Sequence, residues 1–384
     1  MFLKLQFLLF LAASSGLDAF VPKSAIKAQS ALRLYSEGSE TTAPALSTPV
    51  TTTAAATTNN NVVKFRRDYP KALDLIGNTP LCDITAICKP KNPGTRILGK
   101  CEFFNPGYSM KDRIIKNIFE QAEASGELKP GMTVVAASSG NTGCSVALMC
   151  AIKGYKAIVI TNAKCSEEKC ASIRAYGAEL LISEKGQDYM QMELDMAAED
   201  PSLYSVNQYN NLDNPGAHYQ STGPEIWAQT HGEITNFVAA GSTGGTISGI
   251  GGFLKSQNPN VHVTLADPRG SIFANFKATG VVKKGTPFLV EGVGKENIPG
   301  AMNFAVIDDT LTVTDKDAFT MCRTIASNTG LMVGGSSGLN AHAAAKLAEE
   351  SEEPLTIVTM LCDLGVKYLS KVYNEEYLEE HDLK

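Results

Sequence analysis

The chain has 384 residues, 43% hydrophobic and 19% charged, which suits one large or two ordinary globular domains. A net charge of −6 and the lack of a dense Lys/Arg run argue against a nucleic-acid or anionic-membrane binder. Nine dispersed cysteines without a C-x-x-C pair, and five histidines without metal-type spacing, point to reduced, mostly buried thiols and to no metal site.

The N-terminus reads as address rather than fold. Lys4 precedes a short apolar run, Leu5 to Ala13, and small residues follow, with Ala19 as a cleavage position. That is a secretory signal pattern, too short for an ordinary membrane span. The next stretch, FVPKSAIKAQSALRLYS, carries Lys23, Lys27 and Arg33 and is rich in Ser and Ala. The pair of segments resembles the two-part plastid presequence of algae with secondary plastids. This implies a plastid address and no membrane segment in the mature form, with the secretory pathway as the alternative. Unpaired cysteines favour the reducing compartment. Residues 40–61, rich in Thr, Ala and Asn, are expected to be a disordered linker. The folded part is expected to start at Val62–Tyr69.

From there strand-like and helix-like segments alternate. Strands are expected at Arg96–Cys101, Thr133–Ala137, Ala157–Thr161, Phe237–Ala240, Val261–Ala266 and Leu355–Met360. Helices are expected at Asp112–Ala124, Thr142–Ile152, Ser166–Tyr176, Thr222–Gln229, Thr246–Ser256, Lys316–Ser327 and Leu339–Glu349. This alternation predicts an α/β fold with parallel strands, whose ligands sit where strand ends lead into helix starts.

Four loops stand at such junctions. In EFFNPGYSMKDRI (102–114), Asn105-Pro106-Gly107 forms a turn, Ser109 can cap a helix and Lys111 falls in that helix's first turn. A lysine there is either simply solvated or has its charged form disfavoured, which suits an imine-forming amine. ASSGNTGCSV (137–146) crowds small hydrogen-bonding residues between a strand and a helix. GSTGGTISG (241–249) is either a tight turn or a phosphate cradle of free backbone N–H groups at a helix N-terminus. It matches neither a Walker A sequence nor G-x-G-x-x-G, which disfavours a nicotinamide oxidoreductase. GLMVGGSSGLN (330–340) leads an apolar run into an Ala-rich helix.

As a set and in this order, these loops resemble the cysteine synthase and cystathionine β-synthase family of pyridoxal-phosphate enzymes. The resemblance covers nearly all of residues 70–376. It includes LIGNTPL (75–81), SSGNTG (138–143), GYKAIVI (154–160), NQYNNLDNPGAHYQSTGPEIW (207–227), EGVG (291–294), VGGSSG (333–338) and GVKYLSKVYN (365–374). It implies fold type II: two three-layer α/β domains with the active site in the cleft between them. The large domain would comprise 62–106 plus 207–376 and the smaller, mobile one 107–206. A presequence and linker (1–61) and a tail (377–384) would flank them.

The same resemblance implies the roles. Lys111 would carry the cofactor as an imine and later take the substrate Cα proton. Thr243, Gly244, Gly245 and Thr246, with Ser242, would hold the cofactor phosphate. Asn141 would meet the ring 3′-oxygen and Ser336 the ring nitrogen. Ser138, Ser139, Asn141, Thr142 and Gln208 would bind the substrate α-carboxylate, as donors at a helix N-terminus are suited to do. The implied reaction is β-replacement on O-acetylserine or serine with sulfide, giving cysteine. The alternatives are cystathionine β-synthase, joining serine and homocysteine, and a catalytically weak paralogue that binds serine acetyltransferase. A homodimer is also implied.

Four positions depart from the family's usual pattern. Tyr108 and Ser242 stand where glycine is usual, Ser138 where threonine is usual, and Leu364 where serine or threonine follows the aspartate. The last is expected to remove a polar group near the pyridine ring. GKCEFFNPG, ADPRGS, EGVGKENIP and IDDTLTVTDKDAF lean toward cystathionine β-synthase, while a plastid address suits sulfide assimilation.

Overall fold

The computed structural model describes residues 69–138, 140–163 and 165–384. The expectations for residues 1–61 and for Ser139 lie outside the described residues.

Among the described residues, ten strands divide between two sheets. β1 (Leu81–Asp83), β2 (Arg96–Cys101), β7 (Asn236–Ala240), β8 (His262–Pro268), β9 (Asp309–Val313) and β10 (Thr356–Leu361) form the larger, in the order β1-β2-β10-β7-β8-β9. Only β1 runs antiparallel to its neighbour. β3 (Thr133–Ala137), β4 (Lys156–Thr161), β5 (Glu179–Ile182) and β6 (Leu203–Ser205) form an all-parallel sheet in the order β5-β4-β3-β6. The central strands are buried almost end to end, as parallel strands covered on both faces must be.

All six expected strands and all seven expected helices form, with ends shifted by a few residues. The helices are α1 (Lys111–Ser125), α2 (Asn141–Lys153), α3 (Glu167–Ala175), α4 (Tyr189–Glu199), α5 (Asp213–Ala217), α6 (Gly223–Gln229), α7 (Gly245–Gln257), α8 (Phe273–Thr279), α9 (Asp315–Thr329), α10 (Gly335–Glu350) and α11 (Glu375–Glu380). The elements that the pattern does not announce are β1, β5, β6, β9, α4, α5, α8 and α11. β1 and β6 are three residues long, too short for periodicity to register. α5 contains Asn214-Pro215-Gly216, which reads as a turn. It is helical because those residues are buried against α1 and α7, and a π-helical turn (His218–Thr222) joins it to α6. α4 does carry a legible start signal, since the Asp188 carboxylate accepts from the amides of Met190 and Gln191.

Two apolar clusters flank the cleft. One is built on β2, β10, α9 and α10. The other gathers Ile114, Ile115, Ile118, Phe119 and Ala122 of α1 with β3, β4 and α2. These five α1 residues make one helical stripe, and each large member contributes about 1.5–3 kcal/mol by leaving water. Thus α1 packs on the four-stranded sheet, while its first residues are tied to the six-stranded one. The Met110 amide donates to the Cys362 carbonyl at 3.0 Å, and the Leu364 amide to the Tyr108 carbonyl at 3.2 Å. Those two bonds place Lys111 at the junction between the sheets.

Candidate active site

Four helix N-termini converge on one cleft. α2 follows the end of β3, α7 follows β7, α10 enters from the 330–334 turn beside β10, and α1 begins at Lys111. Each exposes unpaired amides and partial positive charge. The cleft offers about 150 Å³, room for roughly ten waters and hence for a small metabolite.

Ten of the twelve residues singled out in the sequence line this cleft: Lys111, Ser138, Asn141, Thr142, Gln208, Ser242, Thr243, Gly244, Thr246 and Ser336. Gly245 lies just behind the lining. Ser139 lies outside the described residues.

Lys111 is the first residue of α1, and its amide donates to the Ser109 hydroxyl at 3.3 Å. Burial lowers the pKa of its ammonium; Cys362 and Asp363 oppose that shift. Burial therefore makes the amine easier to deprotonate than a surface lysine.

The loop at 242–246 is a cradle that side chains cannot replace. Gly244 has φ 84°, and a Cβ there would meet Met302 Cα at 2.5 Å. A Cβ on Gly245 would run into the Asn214 side-chain oxygen. Asn214 Nδ2 donates to the Gln208 carbonyl and to Thr243 Oγ1, both at 2.9 Å, which links the loop to the opposite wall. Thr246 Oγ1 lies 3.3 Å from His218 Nε2, and burial keeps His218 neutral with a pKa well below the usual imidazole value.

On the other wall, Thr142 Oγ1 donates to Gln208 Oε1 at 2.7 Å, and Gln208 Nε2 donates to the Ala137 carbonyl at 3.1 Å. Asn141 Nδ2 donates to Asp363 Oδ2 at 2.7 Å, and Asn141 Oδ1 accepts from Lys367 Nζ at 3.0 Å. The amide nitrogen keeps a second hydrogen for a ligand.

Several cleft residues carry no signal of their own in the sequence. Tyr368 donates to Asp363 Oδ2 at 2.5 Å, and burial raises its pKa well above the usual phenol value. Lys169, on α3, bridges to Glu291 Oε2 at 2.7 Å and lies 4.4 Å from the Tyr368 ring centroid. Glu291 also pairs with Lys371. Lys295 Nζ donates to the Tyr209 hydroxyl at 2.8 Å. Only the fold brings these residues from 169, 209, 291–295 and 362–371 together.

One departure resolves differently from expectation. Leu364 is not part of the cleft lining; its side chain packs against the apolar cluster under the six-stranded sheet. The residue beside Ser336 is instead Cys362, whose thiol is hydrogen-bonded to that serine and pushed by burial up to about 11. Tyr108, half-exposed with φ 59°, accepts the strain of a left-handed turn to make its bond to Leu364.

Residues 72–363 match the family model described as pyridoxal-phosphate dependent enzyme. The chain is 38% identical over 315 residues to cystathionine beta-synthase of Rattus norvegicus, covering 80% of this chain and 56% of that one. It therefore spans little more than half the length of that relative. It is 36% identical over 327 residues to cysteine synthase of Dictyostelium discoideum, covering 81% of this chain and 86% of that one. Among solved structures, a hydrogen sulfide-producing enzyme from Fusobacterium nucleatum superposes with a TM-score of 0.72 at 31% identity, covering 78% of this chain and all of that one.

Proposed function

The chain belongs to the pyridoxal-phosphate-dependent enzyme family, and on that premise we propose that it carries out β-replacement, making L-cysteine from O-acetylserine, or serine, and sulfide. The observation that carries this reading is the position of Lys111. A lysine with a lowered pKa stands between two helix N-termini, one at Asn141–Thr142 and the other at Ser242–Thr246.

The residues fit pyridoxal phosphate. The 242–246 cradle, closed to any Cβ at Gly244 and Gly245, offers backbone amides and three hydroxyls to a phosphate. Ser336 lies across the cleft as a neutral hydroxyl for a ring nitrogen. When bound, this group supplies an electron-withdrawing ring that loosens the Cα–H bond of an attached amino acid.

The chain's own residues do the rest. The α2 N-terminus, with Ser138, Asn141, Thr142 and Gln208, holds the substrate α-carboxylate and so aims the Cα–H bond. Lys111 Nζ takes that proton, which the lowering of its pKa by burial favours. The Lys169–Glu291 bridge and the Tyr368 ring line the cleft, where they would limit water near the substrate.

Cystathionine formation from serine and homocysteine is the second reading. It is favoured by a groove of about 1190 Å³ that adjoins the cleft through Glu291–Lys295 and has room for a thiol larger than sulfide. Steady-state turnover of the cofactor-loaded protein separates the two. O-acetylserine with sulfide is expected to give cysteine as the fastest reaction of the four donor–acceptor pairs. Cystathionine without cysteine would overturn the first reading in favour of the second. Neither product would leave the weak, partner-binding paralogue.

A further inference from the structure

We propose that Lys295 is a specificity-determining residue that selects substrates carrying an anionic group on the β-carbon substituent or on the incoming thiol. This rests on the β-replacement reading above.

Lys295 belongs to the short segment that lines both the cleft and the adjoining groove, so it stands where an incoming nucleophile or a departing group must pass. Its position is fixed by the backbone. The Gly294 amide donates to the Gly241 carbonyl at 2.7 Å, which ties the segment to the start of the phosphate cradle. The Lys295 carbonyl accepts from the Ile272 amide at 3.3 Å.

The charge of Lys295 has no counterion. The Lys169 ammonium is neutralised by Glu291 at 2.7 Å. Among the described residues no carboxylate lies within ion-pair distance of Lys295 Nζ, whose neighbour is the phenol of Tyr209 at 2.8 Å. Burial lowers its pKa, and Tyr189, Asp188 and Glu296 oppose that shift without forming an ion pair with it. An ammonium has three donors, and one is used here. A half-buried cation without an anionic partner is costly, and a ligand anion would offset that cost.

The two anions already assigned do not need it. The α-carboxylate has the α2 N-terminus, and the cofactor phosphate has the α7 N-terminus. Lys295 is thus a third anion site, on the side from which the β-carbon is approached. Two chemistries share this requirement. The donor can be an amino acid whose β-oxygen bears a phosphate: the Cβ–O bond breaks, the electron pair leaves with phosphate, the thiol sulfur forms the Cβ–S bond, and the thiol proton passes to phosphate. Alternatively, the thiol itself can carry a carboxylate, with the same bond changes at Cβ.

The test compares wild type, Lys295→Ala and Lys295→Arg as cofactor-loaded enzymes. The donor arm sets O-phospho-L-serine against O-acetyl-L-serine with sulfide. The acceptor arm sets 3-mercaptopropionate against 2-mercaptoethanol with O-acetyl-L-serine. Lys295→Ala is expected to lower the anionic-to-neutral ratio of kcat/KM by about 10-fold or more in one arm, chiefly through KM, as loss of a charge-assisted hydrogen bond does. Lys295→Arg should keep most of that ratio. Both ratios unchanged in Lys295→Ala would overturn the proposal, because a merely structural role lowers every rate together. If wild type turns over no pair, the β-replacement reading fails and calorimetric titration with the two anionic compounds decides. Weaker binding to Lys295→Ala supports the third anion site, and equal binding overturns it.

Discussion

Lys111→Ala is expected to lower kcat by about 10³-fold or more while moving the thermal midpoint by only a few degrees. The loss is expected to be large because, among the described residues, no other lysine at the cleft is placed to take over a proton transfer. Lys169 Nζ is tied up in an ion pair with Glu291 at 2.7 Å. Lys367 Nζ donates to the Gly107 carbonyl at 2.9 Å and to Asn141 Oδ1 at 3.0 Å, and both bonds use its protons. Lys295 Nζ is bonded to the Tyr209 hydroxyl at 2.8 Å rather than to a residue of the Asn141–Thr142 wall. The fold should survive because the apolar stripe of α1 starts at Ile114, below Lys111. Rates measured under saturating substrate, with cofactor absorbance recorded in parallel, check this. A variant within a few-fold of wild type would remove Lys111 from the chemistry.

Arg113→Ala is expected to cost about 3–5 kcal/mol of stability, the range found when one partner of a buried ion pair is removed. The Arg113 guanidinium is buried and forked between two carboxylates. Nε and Nη2 donate to Glu102 at 2.7 and 2.9 Å, and Nη1 and Nη2 donate to Glu225 at 2.7 and 2.8 Å. Lys100 Nζ completes the cluster at 2.7 Å from Glu225. Removing Arg113 strands Glu102, which is fully buried. It also loosens the first turn of α1, so cofactor binding should weaken as well. Urea unfolding at pH 7 reads the cost directly.

The same cluster sets an acid limit. Burial works to raise the Glu225 pKa, but the hydrogen bonds and charges of Arg113 and Lys100 outweigh it and hold the carboxyl at about 2, against 4.5 for the free group. A depressed acid contributes stability that is complete above pH 4.5 and is lost as pH falls toward 2, in total about 3 kcal/mol. Glu225→Gln should therefore be less stable at neutral pH and show a flatter acid limb. An acid limb identical to wild type would mean that the cluster is not what fails in acid.

The parts of the molecule visible in the sequence are those governed by local chemistry. β3 and β10 announce themselves as apolar runs, and Gly244 as a residue needing positive φ at a helix start. Lys111, Asn141 and Thr243 stand out because each sits in a loop of small polar residues at a helix N-terminus. Lys169, Lys295 and Tyr368 do not, since a lysine or tyrosine is ordinary anywhere until the chain folds it toward a cleft. α5 is hidden for a related reason: Asn214-Pro215-Gly216 reads as a turn, and only burial against α1 and α7 makes it helical. Leu364 misled because Cys362, two residues before it, lines the cleft while its own side chain packs on the core.

The central claim is that Lys111, rather than another cleft lysine, bears the cofactor and moves the proton. Borohydride reduction of the cofactor-loaded protein fixes the pyridoxyl group on whichever lysine holds it, and peptide mapping then locates it. The account predicts a single modified peptide containing Lys111, absent from Lys111→Ala. Modification at Lys169, Lys295 or Lys367 instead, or no fixed cofactor at all, would contradict it.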